Sequence, residues 1–157
     1  DLVAMKPPRG SHKLRNGRVS IEHRPYFITT AVRDRIPVLV DPQAANVVLD
    51  ALHWLEKSGR MLLDAAMVMP DHMHFIAALK NGELSRLMQS LKGYTARQIN
   101  ASLNKKGSLW QEQYHEHAIR KDEELNDTVL YMLHNPVRAG LVEDFHFYPF
   151  WYCRWPV

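Results

Sequence analysis

The sequence predicts an α+β fold in which an antiparallel β-sheet carries helices packed on one face. Some segments place apolar residues at alternate positions, as strands do, and others repeat them at helical spacing. These segments follow one another in the order strand, helix, strand, strand, helix, strand, helix. The chain has 157 residues, of which 46% are hydrophobic, so it can form one domain with a core of ordinary size.

The first strand and the first helix are predicted between residues 25 and 59. Residues 25–32 alternate, because β-branched or aromatic side chains occupy every second position: Tyr26, Ile28, Thr30 and Val32. Asp41 can cap a helix whose first residue is Pro42. Gly59 then supplies the left-handed conformation that often ends a helix.

A hairpin and a second helix are predicted next. Residues 60–69 are apolar enough for a central strand, Pro70-Asp71 predicts a tight turn, and residues 73–79 return as the partner strand. Apolar residues at helical spacing then predict a helix from Leu84 to about Leu103.

The last predicted elements are a fourth strand over residues 110–119 and a third helix. This helix begins at Lys121 or Asp122 and is stopped by Pro136. The element order indicates the ferredoxin-like split βαβ arrangement. The aromatic residues of the C-terminal tail are expected to pack against the body.

Positive charge is concentrated at the N-terminus. The net charge is +3, and residues 1–24 hold six basic and two acidic side chains, so this segment is +4 and the remainder −1. We predict a basic, flexible arm over residues 1–19 and a catalytic domain over residues 20–157. Such an arm can contact nucleic-acid phosphates or remain a solvated tail.

No apolar run is long enough to span a membrane, and no signal peptide is visible, so a cytoplasmic, nucleoid-associated protein without a membrane partner is expected. The single cysteine excludes an internal disulfide.

The first chemical motif is His72-Met73-His74. Residues two apart on a strand point to the same face, so both imidazoles can bind one metal ion. The same spacing at His115 and His117 leaves a second candidate pair. Either pair can also be an ordinary strand that happens to carry two histidines.

The second motif is Tyr131 with Asn135, four residues apart on one helix face. A tyrosine hydroxyl becomes a useful nucleophile when a cation or base lies nearby. From spacing alone, Tyr131 can equally be a core aromatic, and Tyr26, Tyr94 and Tyr114 are rival nucleophiles.

Three ordered segments together resemble the single-tyrosine HUH transposases. They are residues 68–74 (VMPDHMH), residues 110–120 (WQEQYHEHAIR) and residues 131–142 (YMLHNPVRAGLV). Within that superfamily the sequence is most similar to the branch of tyrosine transposases associated with repetitive extragenic palindromes (REP). The resemblance runs from about Tyr26 to the C-terminal aromatics.

The resemblance implies the HUH endonuclease fold and a role for each matching residue. His72 and His74 are the implied metal ligands, Tyr131 is the nucleophile, and Asn135 completes the ligand set where insertion-sequence relatives tend to carry glutamine. His134 is the alternative to Asn135.

The implied reaction is metal-dependent cleavage and rejoining of single-stranded DNA through a 5′-phosphotyrosine intermediate. Mg²⁺ or Mn²⁺ is the expected cofactor, and hairpin DNA with a single-stranded extension is the expected partner. Six basic residues lie on or beside the motif-bearing elements and are candidates for DNA contacts: Arg33, Arg35, Lys92, Arg97, Arg120 and Arg138.

Two other functions are compatible with the residues. A non-catalytic nucleic-acid-binding module would share the sheet-and-helix architecture. A histidine-metal phosphoesterase would use the two histidines without a covalent intermediate and would not need Tyr131. The resemblance is compatible with either a monomer or a homodimer.

Overall fold

The structure is a computed structural model that describes residues 24–157. The predicted basic arm over residues 1–19 lies outside the described residues. Five strands form one antiparallel sheet in the order β4-β1-β3-β2-β5. The strands are β1 (Pro25–Ala31), β2 (Met61–Met69), β3 (His72–Leu79), β4 (His115–Ala118) and β5 (Trp151–Cys153).

The helices are α1 (Pro42–Lys57), α2 (Leu84–Ser102), α3 (Asp122–Leu133) and the single turn α4 (Asn135–Arg138). The first four strands and the helices between them follow the predicted split βαβ order, which confirms the α+β class. In this arrangement β3 lies between β1 and β2, so the centre of the sheet is buried on both faces.

Local signals set the element boundaries as expected. The Asp41 carboxylate accepts hydrogen bonds from the Gln43 and Ala44 amides at 2.9 and 3.1 Å, and Pro42 is the first residue of α1. Gly59 follows α1 with a φ of 83°. Strands β2 and β3 form the predicted hairpin, in which Met69 pairs with His72 across the Pro70-Asp71 turn.

Helices cover both faces of the sheet, which corrects the prediction that all of them pack on one face. Helices α1 and α2 pack on one face, over a core that includes Val48, Leu87 and Phe75. Helix α3 packs on the other face, where Met132 lies in the same cluster as Ile76. The physical reason is that β2 and β3 are apolar on both sides and need cover on each.

The fourth strand is shorter than predicted. Residue Trp110 forms only an isolated bridge with Val32, and regular pairing begins at His115. The Lys92 ammonium donates to the carbonyls of Gln111 (2.6 Å) and Glu112 (2.9 Å), which takes these groups out of the sheet ladder.

The aromatic tail was predicted to pack down, but its strand was not predicted. Strand β5 has only three residues and pairs with β2 at Ala65–Met67. Phe145 and Tyr148 are buried in the α3-side cluster, and the Tyr148 hydroxyl donates to the Val68 carbonyl at 2.6 Å. In contrast, Phe147 is 79% exposed.

Candidate active site

The two histidines of the first motif lie side by side on β3, on the sheet face that α3 covers. His74 pairs with Thr29 of β1, and its ring stacks on Phe27 with a centroid distance of 5.3 Å. Each histidine is 2% exposed, so both imidazoles belong to the interior of the protein. The predicted shared orientation is therefore present.

A neighbouring oxygen orients each imidazole through its Nδ1 atom. The Asp71 carboxylate lies 2.7 Å from His72 Nδ1, and the Thr29 hydroxyl lies 2.7 Å from His74 Nδ1. Because a carboxylate only accepts hydrogen bonds, His72 Nδ1 carries the proton and its Nε2 presents a lone pair. The Thr29 hydroxyl can accept the His74 Nδ1 proton in the same way.

The two Nε2 atoms converge at a distance of 3.1 Å from each other. The side-chain amide of Asn135 closes the third side, with Nδ2 at 2.9 Å from His74 Nε2 and 3.3 Å from His72 Nε2. In this orientation the amide N–H groups satisfy the imidazole lone pairs. A half-turn of the amide exchanges Nδ2 for Oδ1 at the same position, so the group can offer either a donor or an oxygen ligand.

The surroundings favour the neutral form of both histidines. Burial lowers the pKa of His72, although the hydrogen bond and charge of Asp71 act in the opposite direction. Burial lowers the pKa of His74 well below its usual value, and the positive charge of Arg138 adds to this effect. Neutral imidazoles at neutral pH are the form that binds metal ions.

Asp71 is in turn held by Arg35, whose Nε donates to its second carboxylate oxygen at 2.9 Å. Despite partial burial, its hydrogen bonds to His72 and Arg35 lower the pKa of the Asp71 carboxyl. Arg35 and the preceding Asp34 both have left-handed backbone, with φ values of 57° and 58°. Such a conformation costs about 1 kcal/mol for a residue other than glycine, so local strain accompanies the placement of Arg35 beside the site.

Asp71 and Thr29 were missed as site residues by sequence reasoning. Their signals were present, since Asp71 is the turn residue directly before His72 and Thr29 occupies the same predicted strand face as Phe27. What the sequence alone did not supply is the β1–β3 register that puts Thr29 opposite His74.

Tyr131 lies on the last turn of α3, one helical turn before Asn135, and is partly exposed. The Arg138 guanidinium lies over its ring, 3.9 Å from the centroid, and donates to the Tyr131 carbonyl at 2.6 Å. Arg138 follows Asn135 by three residues, so the three side chains share one side of the α3–α4 segment. The Asn135 amide that contacts both histidines, the Tyr131 phenol and the Arg138 guanidinium stacked on it thus belong to one short segment of the chain.

The rival residues occupy other environments. The exposed His134 ring contacts Phe145, and its Nδ1 lies 2.8 Å from the Leu130 carbonyl, so Asn135 and not His134 reaches the histidine pair. His115 and His117 are exposed on the edge strand β4, and His117 pairs with Glu124.

The rival tyrosines also lie elsewhere. Tyr26 packs against the core on the α1–α2 side of the sheet, and Tyr94 is exposed on α2. Tyr114 lines a groove of about 740 Å³ between α2 and the segment that precedes β4. Burial raises the pKa of the Tyr114 hydroxyl, which makes it a weaker nucleophile at neutral pH.

The predicted DNA-contacting cations are dispersed over the surface. Arg33 and Lys92 line the groove that contains Tyr114, although Lys92 already donates to two backbone carbonyls. Arg120 is exposed next to α3, and Arg97 lies between α1 and α2, beyond the other face of the sheet. Of the six, Arg35 and Arg138 have side-chain contacts with Asp71 and Tyr131.

Comparison with known proteins agrees with this fold. The sequence model of the family described as "Transposase IS200 like" matches residues 21–134, more than half of the chain. The matched range includes His72, His74 and Tyr131 and ends one residue before Asn135. The chain therefore belongs to the IS200-like transposase family, and the predicted enzyme class, a single-tyrosine transposase, is confirmed.

Two similar sequences share the REP association. A REP-associated tyrosine transposase of Escherichia coli is 28% identical over 135 residues, which cover 85% of this chain and 78% of the relative. A Haemophilus influenzae protein assigned to the same group is 28% identical over 97 residues, or 55% of each chain.

Among solved structures, a REP-associated tyrosine transposase bound to a REP hairpin superimposes with a TM-score of 0.69. It is 26% identical, and the alignment covers 88% of this chain and 82% of that one. These matches confirm the resemblance to the REP-associated branch that the motifs indicated. Within residues 24–157, no helix combines the length and apolar character needed to cross a membrane.

Proposed function

We propose that this protein is a metal-dependent strand transferase that cuts single-stranded DNA with Tyr131 and forms a 5′-phosphotyrosine intermediate. The observation that supports this most is the convergence of three side chains from one chain. His72 Nε2, His74 Nε2 and the Asn135 amide meet within about 3 Å. Asn135 follows Tyr131 by one helical turn.

The geometry of the three groups fits a divalent cation. Two ligands at right angles on an ion with bonds of about 2.1 Å lie roughly 3 Å apart, and the two Nε2 atoms are separated by 3.1 Å. The described residues contain no cluster of three His, Cys, Asp or Glu side chains that could hold a metal. A site made of two imidazoles and one amide oxygen leaves coordination positions for water and substrate.

Mg²⁺ or Mn²⁺ would be held by His72, His74 and Asn135 and would supply positive charge to a non-bridging oxygen of the scissile phosphate. Asp71 and Thr29 hold both imidazoles with Nε2 towards the metal position. Hydrogen-bond partners of metal-binding histidines commonly have this role. Arg35 holds Asp71 in place.

Tyr131 would attack the phosphorus in line with the departing 3′-oxygen. A bond forms between the Tyr131 oxygen and phosphorus, and the bond between phosphorus and the 3′-oxygen breaks. The Tyr131 hydroxyl gives up one proton and the departing 3′-oxygen takes one up, so the products are a free 3′-hydroxyl and a 5′-phosphate attached to the tyrosine. The reverse attack by a DNA 3′-hydroxyl restores the phosphodiester and frees Tyr131. Because one phosphate ester replaces another, rejoining needs no nucleotide energy source.

A DNA hairpin with a single-stranded extension is the substrate we propose. The similar solved structure is of a protein bound to a REP hairpin, which supports the hairpin part. The groove lined by Arg33, Gln89 and Lys92 adjoins the turn that carries Arg35, and offers a path for the unpaired strand. Because Asn135, four residues after Tyr131, contacts the histidine pair of its own chain, we propose that a monomer can form a complete site.

The experiment that tests this function uses labelled single-stranded hairpin DNAs from the source genome, with Mn²⁺ or with chelator, resolved on denaturing gels. We expect an adduct that requires Mn²⁺, is absent in Tyr131→Phe, and persists in the matched variant Tyr26→Phe. An adduct that survives in Tyr131→Phe but disappears in Tyr114→Phe would reject the assigned nucleophile. No adduct from any hairpin would favour a protein that only binds nucleic acid.

A further inference from the structure

A second groove, of about 630 Å³, lies between α1 and α2, beyond the sheet face opposite the candidate active site. Two large aromatic side chains at this groove are exposed: Trp54 of α1 is 62% exposed and Tyr94 of α2 is 47% exposed. Neither ring is among the buried residues that form the core. Two exposed rings in one groove need an explanation that core packing does not supply.

The charges of the groove favour an anionic ligand. Arg60 and Arg97 line it together with one acid, Asp50, which leaves a net charge of +1. Among the side-chain ion pairs within residues 24–157, none involves either arginine. Both guanidinium groups therefore retain their capacity to bind a phosphate.

The spacing on α2 places a cation beside an aromatic ring. Ser90, Tyr94 and Arg97 follow one another at intervals of four and three residues, so they form a row along the helix. The Arg97 Nη1 atom lies 3.2 Å from the position a Cβ would take at Gly93. The exposed Arg97 guanidinium therefore lies against the preceding turn of α2.

We propose that this groove binds single-stranded nucleic acid, with unpaired bases stacked on Trp54 and Tyr94 and phosphates at Arg60 and Arg97. Aromatic rings interleaved with basic groups bind unpaired strands without strong sequence preference, because every base has an apolar face. A duplex does not fit this description, since its bases are already stacked on each other. The groove would hold a strand on one side of the sheet while the candidate active site acts on the other.

This inference goes beyond the proposed function and does not depend on it, because binding in the groove requires neither Tyr131 nor a metal. The probe is a thymidine oligonucleotide that carries one photoreactive 5-iododeoxyuridine, and chelator is present throughout. Affinity is measured by fluorescence anisotropy, and cross-linked peptides are identified by mass spectrometry. Cross-links are expected in α1 at Trp54 and in α2 at Tyr94.

Substitution of either ring should weaken binding by about tenfold. We expect this loss in Trp54→Ala and in Tyr94→Ala, whereas Tyr94→Phe should keep the affinity because it keeps the stacking surface. Phe147→Ala is the matched control, because Phe147 is an exposed aromatic outside the groove. Thermal unfolding by circular dichroism checks that each variant is folded.

Loss of one phosphate contact should reduce the salt dependence of binding. Arg97→Gln should lower the slope of log affinity against log salt by about 0.7. Arg86→Gln, which removes an exposed arginine of α2 outside the groove, should leave the slope unchanged.

Three results would overturn the proposal. The first is a Trp54→Ala or Tyr94→Ala affinity equal to that of Phe147→Ala. The second is cross-linking confined to peptides outside α1 and α2. The third is self-association that Trp54→Ala abolishes while the oligonucleotide affinity is unchanged, which would make the groove a contact between copies. If the cross-links and affinity losses at Trp54 and Tyr94 are observed but no Tyr131 adduct forms, the proposed function is rejected and the groove proposal stands.

Discussion

The two faces of the β-sheet are formed by the same strands but differ in role: one packs an apolar core and the other carries the candidate active site. On the α1–α2 side, β3 contributes Met73, Phe75 and Ala77 to a closed apolar core. On the α3 side, the intervening positions hold His72, His74 and Ile76, of which the two histidines converge with Asn135. Alternate side chains of β3 thus have different roles: those on the α1–α2 side stabilise the fold, and the two histidines on the α3 side form the candidate site.

This separation explains how buried polar groups are tolerated at the centre of the sheet. Each imidazole has a partner at both ring nitrogens: an oxygen at Nδ1 and the Asn135 amide at Nε2. A buried polar group without partners would cost about 1–3 kcal/mol. The apolar face supplies the hydrophobic stabilisation, so the other face can present lone pairs to a shared point.

The largest expected effects come from one substitution on each face of the sheet. Phe75→Ala should lower the free energy of unfolding by about 3–5 kcal/mol, because it removes a fully buried ring. His74→Gln should abolish adduct formation while the protein remains folded. Urea unfolding and the hairpin cleavage assay measure the two effects. A His74→Gln protein that still forms the adduct would show that the α3 face does not carry the chemistry.

The next largest effect concerns Asp64, a buried carboxyl on β2 that pairs with Arg154. Burial outweighs the arginine and raises the pKa of Asp64 from 3.8 to about 6. The folded protein therefore binds a proton that the unfolded chain releases between these values, so this group favours folding at low pH. Its contribution is lost as the pH rises from about 4 to about 6, by up to about 3 kcal/mol.

Asp64→Asn should remove this pH dependence. The difference in unfolding free energy between the variant and the parent should move in favour of the variant as the pH rises from 4 to 7. Urea titrations at several pH values measure it. A difference that stays constant over this range would show that Asp64 has an ordinary pKa.

Asp71 provides the opposite case among the acids, because its hydrogen bonds lower its pKa and keep it charged. Asp71→Asn should reduce the Mn²⁺ affinity, or the rate at limiting Mn²⁺, by about 10–100-fold. Asp144→Asn is the matched control, since Asp144 also contacts a histidine, His146, at 2.6 Å, but on the surface. Equal Mn²⁺ dependence in the two variants would remove Asp71 from the site.

The smallest effect is expected at the start of α1, on the core side. Asp41→Ala removes the cap that two backbone amides use and should cost about 1 kcal/mol. Because Asp41 lies outside the site, the rate of adduct formation should be unchanged when the variant is folded. A slower reaction at full folding would show that the two faces are coupled.

The fold was largely predictable because its signals are local. The Asp41 cap, the Pro70-Asp71 turn and the alternation in β1 are each read from a few neighbouring residues. The second face of helices and strand β5 were missed because they depend on contacts distant in sequence. A three-residue strand has too few positions to show a period, and continuous apolar strands do not show which side a helix covers.

The candidate site was predictable only in part for the same reason. Two histidines at a spacing of two require a shared strand face, and the family resemblance pointed to Tyr131 and Asn135. Arg35 is predicted as a DNA contact, and the hydrogen bond from its Nε to Asp71 is a further contact that the sequence did not show. Asp34 and Arg35 have left-handed backbone beside this contact. The sequence did not predict it, because neither position is a glycine or an asparagine.

We propose that Tyr131 reacts with DNA beside a cation held by His72, His74 and Asn135. The most direct test of this proposal is mass spectrometry of the covalent adduct formed with hairpin DNA in Mn²⁺, after protease and nuclease digestion. We expect a nucleotide attached through its 5′-phosphate to Tyr131, and no adduct in His72→Gln, in His74→Gln or in the presence of chelator. A nucleotide attached to another residue, or an adduct at Tyr131 that forms equally without metal or histidines, would contradict it.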